Sequence, residues 1–187
     1  IAPVITNWYD RQALINSLLL GGCVAVSGTV LGFVFAYAVT RLSLPGWFKF
    51  LLSGISMLPL ISPPFTSSIA LTLSLGPNGL LIKLLGLENF NFYGFWGTFL
   101  SETLTFYPVA FMTLTTILSR IDSNLEDAAY SMGASPLRVF RTVTLPLSAP
   151  GLANAFLLVF ACSLADFATP LVLAGHAFPV LPTQAYL

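Results

Sequence analysis

Between Arg11 and Arg41 the sequence carries no charged side chain, and the run from Ala13 to Thr40 outlasts the roughly 20 apolar residues that cross the hydrocarbon of a bilayer. In lipid such a run satisfies its backbone polar groups only by closing them on itself, as a helix. The remainder of the 187 residues points the same way: 56% are hydrophobic, 7% are charged and the mean hydropathy is +0.88, where soluble domains carry about 25% charged residues. Seven basic and seven acidic side chains cancel, so no basic field exists to hold a phosphate backbone, and nucleic acid is not an expected partner.

Three further spans follow. Residues 50–75 are free of charge but contain Pro59, Pro63 and Pro64, each of which removes a backbone donor, so this span is expected to kink where protein covers it. Residues 95–119 are interrupted by Glu102 and Pro108, and residues 151–174 by Asp166. Between the second and third spans, the short apolar piece Leu80–Leu85 reads as an interfacial connector. The expectation is an all-α membrane protein, one domain over 1–187 with spans at 13–40, 50–75, 95–119 and 151–174. A start at Ile1 without a Met and an abrupt end at Leu187 suggest part of a longer chain. Small residues at Gly21, Gly22, Ala25, Gly28, Gly32 and Ala36 would let another helix approach span 1 closely.

The long polar segment, 120–147, carries a helix-bend-helix pattern. Ser123 with Glu126 reads as a capping box, with Asp122 as a competing cap, and Gly133 would stop that helix. Ser135 followed by Pro136 starts a second helix to about Thr142, with Leu137, Phe140 and Val143 on one face for docking and Arg138 and Arg141 on another. Placing this segment in the cytosol gathers Arg41, Lys49, Arg120, Arg138 and Arg141 on the inner side and leaves Arg11 and Lys83 outside.

The pattern Asp127-Ala128-Ala129, then Gly133, then Val143-Thr144-Leu145-Pro146 resembles the EAA loop of ABC importer permeases. The likeness extends over Asn16-Ser17-Leu18, Ala36-Tyr37-Ala38, Ser163-Leu164-Ala165-Asp166-Phe167 and Leu181-Pro182-Thr183, toward permeases of the iron(III) type. It implies a multi-span bundle of the MetI-like type in the bacterial inner membrane. It also implies that Glu126, Asp127, Ala128, Ala129, Gly133, Val143, Leu145 and Pro146 belong to a coupling loop for a cytoplasmic ATPase dimer. Further implied partners are a second permease half and an extracytoplasmic binding protein, with iron(III) as cargo and thiamine, polyamine, phosphonate or sulfate as alternatives. The family's leading Glu is Asp127 here, and the preceding Glu126 offers a second acid at that point.

No catalytic motif or phosphate loop occurs, so the chain is read as a permease and not an enzyme, with ATP used by the partner. His176 stands alone, and Cys23 and Cys162 lie in apolar runs, so no cofactor or metal site is expected. Asp166 and Ser163, one turn apart, are candidates for the translocation pathway together with Pro63 and Pro64. Glu102 is read as reaching the interface or pairing with Lys83. The rival readings are a passive channel or scaffold, and an intramembrane enzyme built on Asp166 and Glu102.

Overall fold

A computed structural model describes residues 8–62, 64–76, 79–85, 92–175 and 178–186. Pro63 and His176 therefore lie outside the described residues. Ten α-helices occur among them and no strand: α1 (Trp8–Arg41), α2 (Gly46–Ile61), α3 (Pro64–Leu75), α4 (Leu80–Leu85), α5 (Phe95–Arg120), α6 (Ser123–Ser131), α7 (Pro136–Val139), α8 (Leu145–Ala165), α9 (Ala168–Leu173) and α10 (Leu181–Tyr186). One π-helical turn, Phe140–Thr144, joins α7 to α8.

Helices α1, α5 and α8 pack on one another and form the centre of the bundle. Their buried apolar faces supply the core: Leu20, Val24, Ala25, Phe33 and Ala36 from α1, Ala110, Phe111, Leu114 and Leu118 from α5, Ala155 and Val159 from α8. On the other side of α1, Val26, Val30 and Val34 stand exposed at four-residue spacing, the outward face of a helix whose solvent is lipid.

Glycines set how closely these helices meet. A Cβ on Gly32 would lie 2.7 Å from both the Ala110 Cβ and the Phe111 backbone nitrogen, and one on Gly28 would meet Val159 at 3.2 Å. Gly21 faces the Phe160 ring in the same way, whereas a Cβ on Gly22 would meet nothing within 4 Å among the described residues. The small-residue stripe of α1 is thus a true helix-helix surface, from which Gly22 is excluded.

Two helices, Trp8–Arg41 and the continuous Pro136–Ala165, are each long and apolar enough to cross a membrane. Two bent pairs, Gly46–Ile61 with Thr66–Leu75 at 101° and Phe95–Arg120 with Ser123–Ser131 at 62°, raise the number to four if each is one span. The bend in the first pair follows Ser62, whose extended φ −77° and ψ 148° are what a residue preceding a proline adopts. Pro59, by contrast, is accommodated inside α2, so the break lies beyond it.

Residues 151–174 are not one helix. The fourth long helix begins upstream, since α7, the π turn and α8 run on without interruption, and it ends at Ala165. The wide turn has a local cause: Pro146 lacks an N–H, and its ring would strike the Thr142 carbonyl in a regular α-helix. In its place the Leu145 N–H reaches back five residues to the Phe140 carbonyl. At the break, Asp166 accepts the N–H groups of Ala168 (2.9 Å) and Thr169 (3.4 Å) and so caps α9.

Replacing Gly32 by Leu is expected to cost about 1–3 kcal/mol through overpacking, because the atoms in the way belong largely to backbone. Gly22→Leu should cost little. Thermal unfolding of the two purified variants in detergent measures the contrast.

Candidate functional site

The polar segment folds as a hairpin whose inner side is fastened to the spans. Asp122, not Ser123, caps α6, accepting the Asn124 N–H at 2.9 Å. This leaves the Glu126 carboxylate free to turn inward. There Thr144 donates to its Oε1 at 2.7 Å, and Arg41 Nε lies 3.4 Å from the same oxygen. The Arg41 Nη2 group also donates to the Leu118 and Ile121 carbonyls at the end of α5, both at 3.0 Å. One guanidinium thereby joins α1, α5 and α6, and Thr144 adds the π turn. With the Arg41 and Glu126 side chains 11% and 14% exposed, the pair is largely shielded from salt and water.

The bend itself is a Schellman closure. Gly133 takes φ +81°, its N–H donates to the Tyr130 carbonyl at 2.9 Å, and the Ala134 N–H donates to Ala129 at 3.1 Å. Ala129 is buried, while Asp127, Ala128 and Gly133 are exposed; Val143 is half-buried, and Leu145 and Pro146 are exposed. Leu137, Phe140 and Val143 do not share one docking face. Phe140 packs inward, its ring 5.5 Å from Tyr37 and 6.1 Å from Phe33, and Val139 is buried beside it, whereas Leu137 points out with Arg138 and Arg141. The π turn explains the difference, since it breaks the three-residue spacing on which the shared face rested. The outward surface consists of Leu125, Tyr130, Leu137 and the 83%-exposed Met132, flanked by Asp127 and the two arginines.

Further along the bundle, three successive residues of α5 each bond a different helix. Ser101 pairs with Ser68 of α3 at 3.2 Å, Thr103 with Ser27 of α1 at 2.9 Å, and Glu102 accepts from Ser163 of α8. Glu102 is 0% exposed. The reading of it as an interfacial side chain or a partner of exposed Lys83 is overturned: α5 turns it toward α8, away from the bundle's surface. Sequence gave little warning, because the Ser163 bond spans 61 residues; a carboxylate inside an otherwise apolar run was the one available signal.

Asp166 and Ser163 are near in sequence but do different things. Ser163 is buried against Glu102, while Asp166 lines a cavity of about 400 Å³ with Pro59, Leu60 and Ser62 from the end of α2 and Thr105, Phe106, Cys162 and Ala165 from α5 and α8. Pro64 opens α3, and its side chain lies outside what is described. Elsewhere, distant segments meet: the Asn16 amide donates to the Pro179 carbonyl at 2.9 Å, and the Leu181 N–H to the Ser17 hydroxyl at 2.8 Å.

A helical bundle with a bent hairpin held between its third and fourth long helices is the architecture of a transport permease. Residues 28–187 match the family described as binding-protein-dependent transport system inner membrane component, and the chain belongs to that family. It is similar to a putative ferric transport system permease protein of Haemophilus influenzae, 38% identical over 192 residues covering all of this chain and 30% of that protein. A ferric transport system permease protein of Actinobacillus pleuropneumoniae is 37% identical over all of this chain and 27% of its own length. The molybdenum transport system permease protein of H. influenzae is 35% identical, covering 87% of this chain and 72% of that protein. The chain thus spans less than a third of the ferric permeases it matches. Among solved structures, a bacterial alginate ABC transporter in complex with a pentasaccharide-bound periplasmic protein superposes with a TM-score of 0.82 at 16% identity, over 99% of this chain and 69% of that one. The shared fold is the all-helical, multi-pass fold of ABC transporter permeases.

A double-mutant cycle on Arg41→Ala and Glu126→Ala, read by thermal unfolding, should return a coupling of about 0.5–3 kcal/mol. Arg41→Lys should not restore the wild-type value, because an ammonium group cannot serve the carboxylate and both α5 carbonyls in the guanidinium's fixed geometry.

Proposed function

We propose that this chain forms part of the permease of an ATP-driven importer in a bacterial inner membrane, carrying iron(III), with the 122–146 hairpin as the element that docks on a cytoplasmic ATPase dimer. The observation that carries this reading is the two-sided build of the hairpin. Its inward side is tied to α1 and α5 through Glu126 and Arg41, and its outward side presents Leu125, Tyr130, Met132 and Leu137 without cover. A surface that must push on a bundle needs both a rigid root and an apolar face for a partner. Asp127, exposed beside that face, is the acid presented to the ATPase, whereas Glu126 is spent on the root.

On this reading the ATPase supplies the energy and this chain binds no cofactor and catalyses no reaction. A second permease half completes the route, an extracytoplasmic protein delivers cargo, lipid surrounds the spans, and nucleic acid has no part. The delivery protein finds support in the fold shared with an alginate transporter solved with its periplasmic protein. Ferric cargo finds support in two ferric permeases that match over the whole chain. The likeness to a molybdenum permease over 72% of that protein's length keeps molybdate as the second cargo to be tested.

With the full-length permease, Met132→Cys should react with a membrane-impermeant thiol reagent only from the cytosolic side, and bound ATPase should protect it. Labelling from outside removes the proposal. Gly133→Val forces a β-branched residue to φ +81°, so uptake should fall at least tenfold while the protein still inserts in the membrane.

A further inference from the structure

The outward side of the hairpin carries two cations that the fold does not use. Arg138 and Arg141 line one cavity of about 380 Å³ together with Ser135, Leu137 and Thr142, and all five residues are exposed. Neither guanidinium forms an ion pair; among the described residues the one such pair joins Arg41 to Glu126. No carboxylate lines the cavity. The Thr142 hydroxyl is spent on the Arg138 carbonyl at 2.7 Å, but the Ser135 hydroxyl makes no capping bond to α7 and is free to donate at the same wall. Two guanidinium forks and a hydroxyl around one space are donors suited to a carboxylate or phosphate, which accept paired N–H bonds in that geometry.

Such an anion comes either from an acidic side chain of a protein or from a lipid headgroup, and position along the helix favours the protein. Thr144 is held level with Arg41, the charge that closes the first long helix, through the Glu126 oxygen that both approach. Arg141 and Arg138 precede Thr144 by three and six residues, which at 1.5 Å per residue carries them roughly 4 and 9 Å away from the α8 shaft. A headgroup layer is roughly 5–8 Å deep on each side of the hydrocarbon, so Arg138 stands at its outer limit or past it. Leu137 belongs both to this cavity and to the exposed apolar face it shares with Leu125, Tyr130 and Met132. The two arginines therefore continue the face already assigned to the ATPase.

We infer that Arg138, Arg141 and Ser135 form a carboxylate-binding pocket that receives an acidic side chain of the ATPase subunit. The inference rests on the docking role of the hairpin proposed above and adds the chemistry that the partner must present there. It makes the docking face two-signed, with the exposed acid Asp127 on α6 and two bases on α7 and the π turn. A partner seated the wrong way round meets like charges, so the pocket fixes orientation as well as adding affinity.

The test uses the full-length permease assembled with its ATPase in lipid nanodiscs. Arg138→Lys and Arg141→Lys keep the charge and place a primary amine at the pocket, which a zero-length carbodiimide joins to any carboxylate in contact with it. Each should give an amide crosslink to an Asp or Glu of the ATPase, found by peptide mass spectrometry and missing from the unsubstituted complex. The double substitution Arg138→Gln with Arg141→Gln should raise the Kd for the ATPase at least tenfold and flatten its dependence on salt. No crosslink from either Lys variant, while the ATPase still protects Met132→Cys from thiol reagents, overturns the pocket and leaves the docking role standing. Loss of that protection in the otherwise unsubstituted complex overturns the docking role itself, and the pocket with it. An unchanged Kd in the Gln pair, with loss of a phosphatidylglycerol requirement for ATP hydrolysis, assigns the arginines to the membrane surface and overturns the pocket too.

Discussion

The contact on which the bundle depends is the approach of α1 to α5 at Gly32, where a single added carbon would collide with the Ala110 side chain and the Phe111 backbone. Hydrophobic burial cannot drive helices together when the surroundings are as apolar as the helices, so close packing and hydrogen bonds must do it. From that approach the other ties become reachable. It brings Ser27 within 2.9 Å of Thr103, carries Arg41 to the carbonyls at the end of α5, and seats Phe33 and Tyr37 where Phe140 can pack on them.

The polar contacts then divide the bundle by function. At one end Arg41, Glu126 and Thr144 bind the hairpin root to three helices, with the Leu118 and Ile121 carbonyls completing the guanidinium's partners. Toward the other end of α5, Ser101, Glu102 and Thr103 reach α3, α8 and α1, and there the satisfaction is incomplete. In the first cluster Arg41 Nε has an ion pair at 3.4 Å but no hydrogen bond, and in the second, one Glu102 carboxyl oxygen has no hydrogen-bond partner among the described residues.

The long helices were legible because charge-free runs leave few alternatives, and the hairpin's first helix because Asp122 and Gly133 sit at its ends with the chemistry that ends require. What escaped was nonlocal. Glu126 to Thr144 spans 18 residues and Arg41 to Leu118 spans 77, and nothing in either neighbourhood predicts the meeting. The reading of Asp166 as a residue within a span failed at the helix end: an Asp two residues before Ala168 caps a new helix, a signal masked by the apolar run around it. Phe140 went to the wrong face because three-residue periodicity was carried across a π turn.

That wide turn also fixes how the two ends of the 30-residue rod Pro136–Ala165 are aimed. Its buried residues run Val139, Thr144, Ser148, Gly151, Ala155, Val159 and Ser163, and every step is three or four residues except the first, which is five. The surplus residue offsets the azimuth of the hairpin end from that of the α8 shaft by roughly 100°, one residue's worth of helical rotation. Arg138 and Leu137 look outward only because of this offset; a rod of uniform pitch would swing them round its axis while leaving the shaft seated as before.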